Sequence, residues 1–72
     1  MEFSPTKFRS RRIGQAISRK FLAELLDVTE NSIVHWEKGR AVPTDRHLFL
    51  IAAILRCEVS DLCEVNQDSS VR

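Results

Sequence analysis

Four hydrogen-bonding side chains of different chemistry lie close together in the chain: the carboxylate of Glu30, the amide of Asn31, the hydroxyl of Ser32 and the imidazole of His35. In a helix, Asn31 and His35 would share one face. No nucleophile elbow, glycine-rich phosphate loop or metal-ligand spacing accompanies them. These side chains therefore indicate a binding surface, and we expect no enzymatic activity, no metal, no cofactor and no small-molecule substrate.

The four side chains belong to residues 19–38, whose pattern is typical of two helices joined by a tight turn. Apolar residues occupy the positions at which a helix-turn-helix must pack its two helices together: Leu22, Ala23, Leu26, Val28, Ile33 and Trp36. The second helix keeps a polar face. In such a unit that face most often meets the major groove of DNA.

Length and composition indicate one small folded domain. The chain has 72 residues, of which 43% are hydrophobic and 29% charged, as in compact rather than disordered proteins. Helical periodicity dominates, and residues that favour strands are too scattered for a sheet. We predict an all-α fold, a compact bundle of about five short helices over residues 1–64, followed by a flexible tail at residues 65–72.

Capping residues give the expected limits of the first three helices. Helix 1 should begin at residue 5 or 6, end at residue 14 or 15, and bury Phe8 and Ile13. Ser18 should cap helix 2, and Thr29 should cap helix 3, with Gly39 after its end. The expected apolar stripe of helix 2 consists of Phe21, Leu22, Leu25 and Leu26.

The fourth helix should start at Thr44 or Asp45, and it contains eight consecutive apolar residues, LFLIAAIL. One face should close the core. The surplus residues Phe49, Leu50 and Ile54 then need a partner, which we interpret as the second subunit of a homodimer. The alternative is that a C-terminal segment folds back over them. A short fifth helix should begin near residue 58.

Charge is distributed unevenly along the chain. The formal net charge is only +1. Residues 1–20 carry six basic side chains and one acidic side chain, whereas residues 57–72 carry four acidic side chains and one basic. Such asymmetry indicates a binding face better than the total charge does. A solvated basic helix is the alternative interpretation.

The remaining sequence features argue against a zinc or redox protein, a membrane protein and a secreted protein. Cys57 and Cys63 match neither zinc-site nor redox-pair spacing, so Cys57 is expected to act as a small core residue. No apolar stretch approaches the roughly 20 residues of a membrane span, and no signal peptide is evident. We expect a cytoplasmic protein, associated with the nucleoid when bound to DNA.

Taken together, three segments carry a resemblance to a known family: FRSRRIGQAIS, then FLAELLDVTENSIVHWEKG, then a Val-Pro loop followed by LIAAILRCEVSDL. Over about residues 7–63, the chain resembles the Cro and phage-repressor (XRE-like) helix-turn-helix family. The resemblance implies a lambda-repressor-like DNA-binding domain. It also implies a transcriptional regulator, most often a repressor, that binds a pseudo-palindromic double-stranded operator as a homodimer.

The resemblance implies a set of residues that contact DNA bases through the third helix. These positions are Glu30, Asn31, Ser32, Val34 and His35. Asn31 has the best chemistry, because an amide can pair with both N6 and N7 of adenine. His35 could donate to guanine or to phosphate. Glu30 could instead stabilise the positive N-terminal end of helix 3 electrostatically.

The resemblance also implies phosphate contacts at Ser18, Arg19, Lys38, Arg40 and Arg46. At the first position of helix 2 the family usually has Gln, which binds phosphate and supports helix 3. Here Arg19 can bind phosphate, but we do not expect it to support helix 3 in the same way as glutamine.

A further family feature is a largely buried ion pair between helices 1 and 3, which falls on Arg12 and Glu37. We therefore assign Arg12 to the fold rather than to DNA. Three turn positions depart from the family pattern, since Ala16, Asp27 and Arg56 stand where Gly or Asn is commoner.

One alternative keeps the same fold. Domains of this kind also serve as protein-binding adaptors or antitoxins, and here a protein partner would bind helices 4 and 5 or the tail. The acidic C-terminal part of the chain and the surplus apolar surface fit that reading.

Overall fold

The computed structural model describes residues 2–64. Four α-helices lie at Pro5–Gly14 (α1), Arg19–Leu26 (α2), Glu30–Glu37 (α3) and Asp45–Ile54 (α4). A 3₁₀ helix, Val59–Leu62, stands where the fifth helix was expected, and two short strands occupy Glu2–Phe3 (β1) and Cys63–Glu64 (β2). The predicted helical fold class is thereby confirmed, while the tail predicted at residues 65–72 lies outside the described residues.

Each α-helix begins at a serine or threonine whose side-chain oxygen accepts a hydrogen bond from the backbone N–H three residues later. The four caps are Ser4, Ser18, Thr29 and Thr44, with N···O distances of 3.0–3.2 Å. A cap of this kind satisfies a donor that the helix leaves without a partner, and it contributes about 1 kcal/mol. The sequence therefore determines all four helix starts locally.

Each α-helix also ends in the same way, with one residue in the left-handed region. These residues are Ala16, Asp27, Gly39 and Arg56, with φ of 58–75°. After α2, for example, the N–H of Val28 donates to the carbonyl of Ala23 at 3.0 Å, and that of Asp27 donates to Glu24 at 3.3 Å. This pair of bonds is the Schellman motif. Three of the four positions lack glycine, as the sequence indicated.

The core lies where all four α-helices and the 3₁₀ helix meet. Its fully buried large side chains are Phe8, Leu22, Ile33, Ile51, Leu55 and Leu62. Trp36 completes it, with its ring centroid 6.3 Å from that of Phe8. The inward face predicted for α4 is confirmed, because Leu48, Ile51, Ala52 and Leu55 are all buried.

Three residues predicted for the core are exposed instead. Ile13 is 51% exposed, and Phe21 and Leu25 are exposed to a similar degree. The reason is geometric, because successive residues of a helix are rotated by about 100°. On α1 the inward side is taken by Phe8 and Arg12, which are four residues apart, so Ile13 points away from the core.

The expectation of no sheet is wrong. β1 and β2 pair antiparallel, with Glu2 opposite Glu64 and Phe3 opposite Cys63. The N–H of Ser4 donates to the carbonyl of Leu62 at 2.8 Å, and Lys7 Nζ donates to the carbonyl of Cys63 at 2.9 Å. With two residues per strand there is no alternating pattern to detect, so this pairing is invisible in the sequence.

The two cysteines are free thiols in this fold. Cys63 is buried, and Cys57 is half-buried against the core. Burial raises the pKa of the Cys57 thiol above its ordinary value, although nearby Arg11 opposes that shift. The thiol is therefore protonated at neutral pH, as suits an apolar role. Within residues 2–64, no helix is long and apolar enough to span a membrane.

Candidate nucleic-acid interface

Helix α3 divides into a buried side and an outer side. Ile33 and Trp36 are buried, and they anchor the helix against the rest of the domain. Among the residues predicted to contact bases, Glu30 and Asn31 are exposed, whereas Ser32, Val34 and His35 are half-buried. Packing on one side only leaves the other side of α3 free to meet a partner.

The structure gives Ser32 a role in the helix cap. Its backbone N–H donates to Thr29 Oγ1 at 3.2 Å, and the two hydroxyl oxygens lie 3.0 Å apart. The hydroxyl of Ser32 is thus already hydrogen-bonded at the start of α3, although a hydroxyl can take a further partner. Its contact with DNA stays a prediction.

Asn31 and His35 contact each other. Asn31 Nδ2 and His35 Nε2 lie 3.1 Å apart, across one turn of the helix. The other ring nitrogen, Nδ1 of His35, is buried and has no hydrogen-bond partner among the described residues. The sequence treated these two residues as separate base-reading groups, whereas the structure joins them into one polar unit.

Behind this surface, a buried ion pair fixes α3 to α1. Arg12 Nε lies 2.6 Å from Glu37 Oε2, and the Glu37 side chain is only 3% exposed. Arg12 Nη1 also donates to the carbonyl of Ile17 at 2.8 Å. Each charge is therefore paired, which is what permits both side chains to be buried. Arg12 has its hydrogen-bonding groups turned into the fold.

Arg19 also bonds to Glu37, so it does support helix 3, although we did not expect it to do so in the same way as glutamine. Its Nε donates to Glu37 Oε1 at 2.9 Å, so the first residue of α2 holds the last residue of α3. The guanidinium thus donates a supporting hydrogen bond at a position where the family usually has glutamine. The Nη groups of Arg19 make no hydrogen bond within the described part of the chain, and its side chain is 39% exposed.

The other predicted phosphate contacts lie at the ends of helices. Ser18 caps α2, Lys38 and Arg40 follow α3, and Arg46 lies in the first turn of α4. The Arg40 N–H donates to the carbonyl of His35 at 2.9 Å, which fixes the backbone just after α3. Lys38, Arg40 and Arg46 are exposed, and none has a salt bridge with another of residues 2–64.

The predicted dimer surface on α4 is only partly available. Phe49 is 68% exposed and Leu50 is also exposed, but Ile54 is half-buried and packs against the core. Ile54 therefore contributes less exposed apolar surface than the sequence indicated. Phe49 also lines an open groove, together with Ala52, Ala53, Cys57, Glu58, Val59 and Ser60.

This arrangement defines a helix-turn-helix domain whose second helix is anchored by its apolar side and polar on its free side. Comparison with known proteins agrees. The helix-turn-helix family model matches residues 8–62, and the chain belongs to the XRE-like helix-turn-helix family.

Among curated proteins, the chain is similar to the HTH-type transcriptional regulator DicA of Escherichia coli (strain K12). The two are 31% identical over 51 residues, which is 71% of this chain and 38% of DicA. Among solved structures, it resembles part of HppE in its apo and Fe(II) crystal structures. Both structures match this chain with a TM-score of 0.77 and 26% identity over 83% of its length. The match covers 34% of the HppE chain in the apo structure and 32% in the Fe(II) structure. The chain thus spans 32–38% of the length of these relatives.

Proposed function

We propose that this chain is a sequence-specific DNA-binding transcriptional regulator, acting as a repressor, with α3 in the major groove of its operator. The observation that carries the proposal is the free side of α3, where Asn31 and His35 form a polar unit on a helix held by Ile33 and Trp36. A rigid helix with amide and imidazole groups facing outward suits hydrogen bonding to base edges. The proposal includes no catalytic activity.

Four basic residues lie at helix ends close to α3 in the chain. Arg19 lies at the start of α2, Lys38 and Arg40 lie just after α3, and Arg46 lies at the start of α4. Cations placed around a recognition helix can bind phosphates and fix the register of the helix on the duplex. Although the net charge is only +1, Lys38, Arg40 and Arg46 have no acidic partner within residues 2–64, and they provide the electrostatic attraction that DNA binding needs.

We further propose that the regulator binds a pseudo-palindromic site as a homodimer through α4. The exposed Phe49 lines one side of an open groove that includes Ala53 and Val59. In a two-fold dimer the same patch serves both subunits, so Phe49 of each subunit would enter the groove of the other. Burying this ring would remove from water the most exposed large apolar side chain among the described residues.

Selection of bound sequences from a random DNA pool tests the proposal, since it would give half-site, spacing and symmetry together. With the selected operator, Asn31→Ala should change sequence preference, whereas the matched surface variant Arg46→Ala should weaken all sequences alike. Binding should also fall steeply with salt. A protein that shows no salt-dependent binding to any sequence would exclude the regulator function.

A second function on the same fold is a protein-binding adaptor or antitoxin. The exposed Phe49 and Leu50 favour it, since a helix face of this kind suits a protein partner as well as a second copy. A partner protein would bind α4 and the 3₁₀ helix, and the tail at residues 65–72 would take part. Under this alternative, Phe49→Glu abolishes partner binding, while Asn31→Ala has no effect on it.

A further inference from the structure

Glu37 is surrounded by three arginines. Arg12 Nε lies 2.6 Å from one carboxylate oxygen, and Arg19 Nε and Arg9 Nε lie 2.9 and 3.9 Å from the other. Three guanidinium groups against one carboxylate leave two positive charges without compensation at this point. A local surplus of that kind attracts an anion.

The three arginines are not equivalent. Arg12 is buried, and its hydrogen bonds go to Glu37 and to the carbonyl of Ile17. Arg9 and Arg19 are 57% and 39% exposed. Apart from the bond between Arg19 Nε and Glu37, neither guanidinium makes a hydrogen bond with residues 2–64. Both Nε atoms approach the same Glu37 oxygen, so these two guanidinium groups converge on one carboxylate and keep free donors.

The other basic residues of α1 have partners. Lys7 Nζ donates to the carbonyl of Cys63 at 2.9 Å, and Arg11 Nη2 lies 3.6 Å from Asp61 Oδ1. The positive charge of α1 is therefore divided between its two sides. Lys7 and Arg11 face the C-terminal part of the domain, and Arg9 joins Arg19 at the start of α2.

The start of α2 adds backbone donors to the same place. Its first N–H groups have no partner within the helix, and the Ser18 side chain accepts only from Phe21. The backbone N–H groups of Arg19 and Lys20 thus remain at the positive end of the helix dipole. Such an end favours anions.

We propose that Arg9 and Arg19 together bind one phosphate of the DNA backbone, with Glu37 as the residue that positions Arg19. This inference rests on the proposed DNA-binding function. It selects Arg9 from a basic surface, formed by Lys7, Arg9 and Arg11, that the family resemblance implies could also lie on DNA. A guanidinium offers planar paired donors that match phosphate oxygens. Glu37 holds the Arg19 guanidinium in place beforehand, which reduces the conformational entropy lost on binding.

The test measures binding of the full chain to its selected operator and to unrelated DNA over a range of salt concentrations. Arg9→Ala should weaken both by the same factor and lower the magnitude of the log–log salt slope by about 1. Arg11→Ala is the matched control. It removes the same charge from a residue two positions further along α1, and the Arg11 side chain is paired with Asp61. We expect it to leave the slope unchanged.

A second measurement locates the phosphate. Operators with a neutral methylphosphonate at single backbone positions should reveal one position at which Arg9→Ala and Arg19→Ala no longer weaken binding. A structural role of Arg9 would not produce this position-specific loss. The proposal is overturned if Arg9→Ala behaves like Arg11→Ala, or if the two variants respond to different phosphates. Failure of the wild-type chain to bind any DNA would instead overturn the proposed function.

Discussion

Asn31 Nδ2 and His35 Nε2 are 3.1 Å apart on the free side of α3. This contact holds the asparagine side chain in one orientation without using all of its hydrogen-bonding capacity. One amide N–H and the carbonyl oxygen of Asn31 remain available, and these are the two groups that pairing with N7 and N6 of adenine requires. His35 can therefore orient the amide that we propose to recognise a base.

The first prediction is that Asn31 and His35 act as a unit in sequence recognition. Asn31→Ala and His35→Ala should each lose about 1–3 kcal/mol of discrimination at the same base pair, because either change frees or removes the oriented amide. The double variant should lose little more than one single variant, as a double-mutant cycle on operator variants would measure. His47→Ala, in α4, is the control. Additive losses at different base pairs would show that the two residues act separately.

The second prediction concerns the buried ion pair. Arg12→Ala should lower the free energy of unfolding by about 2–3 kcal/mol, because Glu37 would lose its closest partner but keep Arg19 at 2.9 Å; an uncompensated buried charge would cost about 3–5 kcal/mol. Arg12→Lys, which keeps the charge, should lower it less. Urea unfolding followed by circular dichroism gives both values.

The replacement of both partners by methionine supplies the control for that experiment. Arg12→Met with Glu37→Met should recover much of the stability, since neither buried charge remains. If Arg12→Ala weakened DNA binding and left the unfolding free energy unchanged, the assignment of Arg12 to the fold would be wrong.

The third prediction concerns the left-handed helix ends. Ala16→Gly and Arg56→Gly should each raise the unfolding free energy by about 0.5–1 kcal/mol, because glycine adopts φ near 58° without the steric cost that a Cβ imposes. The native glycines supply controls of opposite sign. Gly39, at φ 75°, should destabilise the protein when changed to Ala, whereas Gly14→Ala should stabilise it, since that site is helical and open. Thermal unfolding of the four variants checks the signs.

The fourth prediction tests the dimer. Phe49→Glu and Leu50→Glu should each shift the protein from dimer to monomer, because a carboxylate would be buried at the interface. Leu25→Glu, at a similarly exposed apolar position on α2, should leave the mass unchanged. Size-exclusion chromatography with light scattering measures all three. A wild-type protein that is monomeric at every concentration would contradict the prediction.

Local sequence signals account for much of the fold. Helix starts depend on a hydroxyl three residues before a backbone N–H, and helix ends depend on short-range bonds, so Ser18, Thr29 and Asp27 could be placed from the sequence. The inward face of α4 followed from its periodicity. Which face of a short helix points into the core is harder to determine, as Ile13 shows. Neighbouring apolar residues compete for the one inward face, and tertiary packing decides between them.

The candidate site was predictable in its location but not in its contacts. The polar face of α3 follows from the burial of Ile33 and Trp36. The contact between Arg19 and Glu37 joins residues 18 positions apart, and it depends on how α2 crosses α3. Arg9 carries no sequence signal that distinguishes it from Arg11. Only the three-dimensional arrangement shows which of the two has an acidic partner.

The short sheet that joins β1 to β2 has a consequence for the order of folding. The most extensive helix–helix packing, between α2 and α3, links neighbours in the chain, which favours fast folding, but Ser4 and Glu64 are 60 residues apart in the chain. A contact that closes so long a loop should form after the folding barrier has been crossed. Weakening the sheet should then speed unfolding and leave the folding rate almost unchanged, so these two strands would set how long the native state lasts rather than how quickly it is reached.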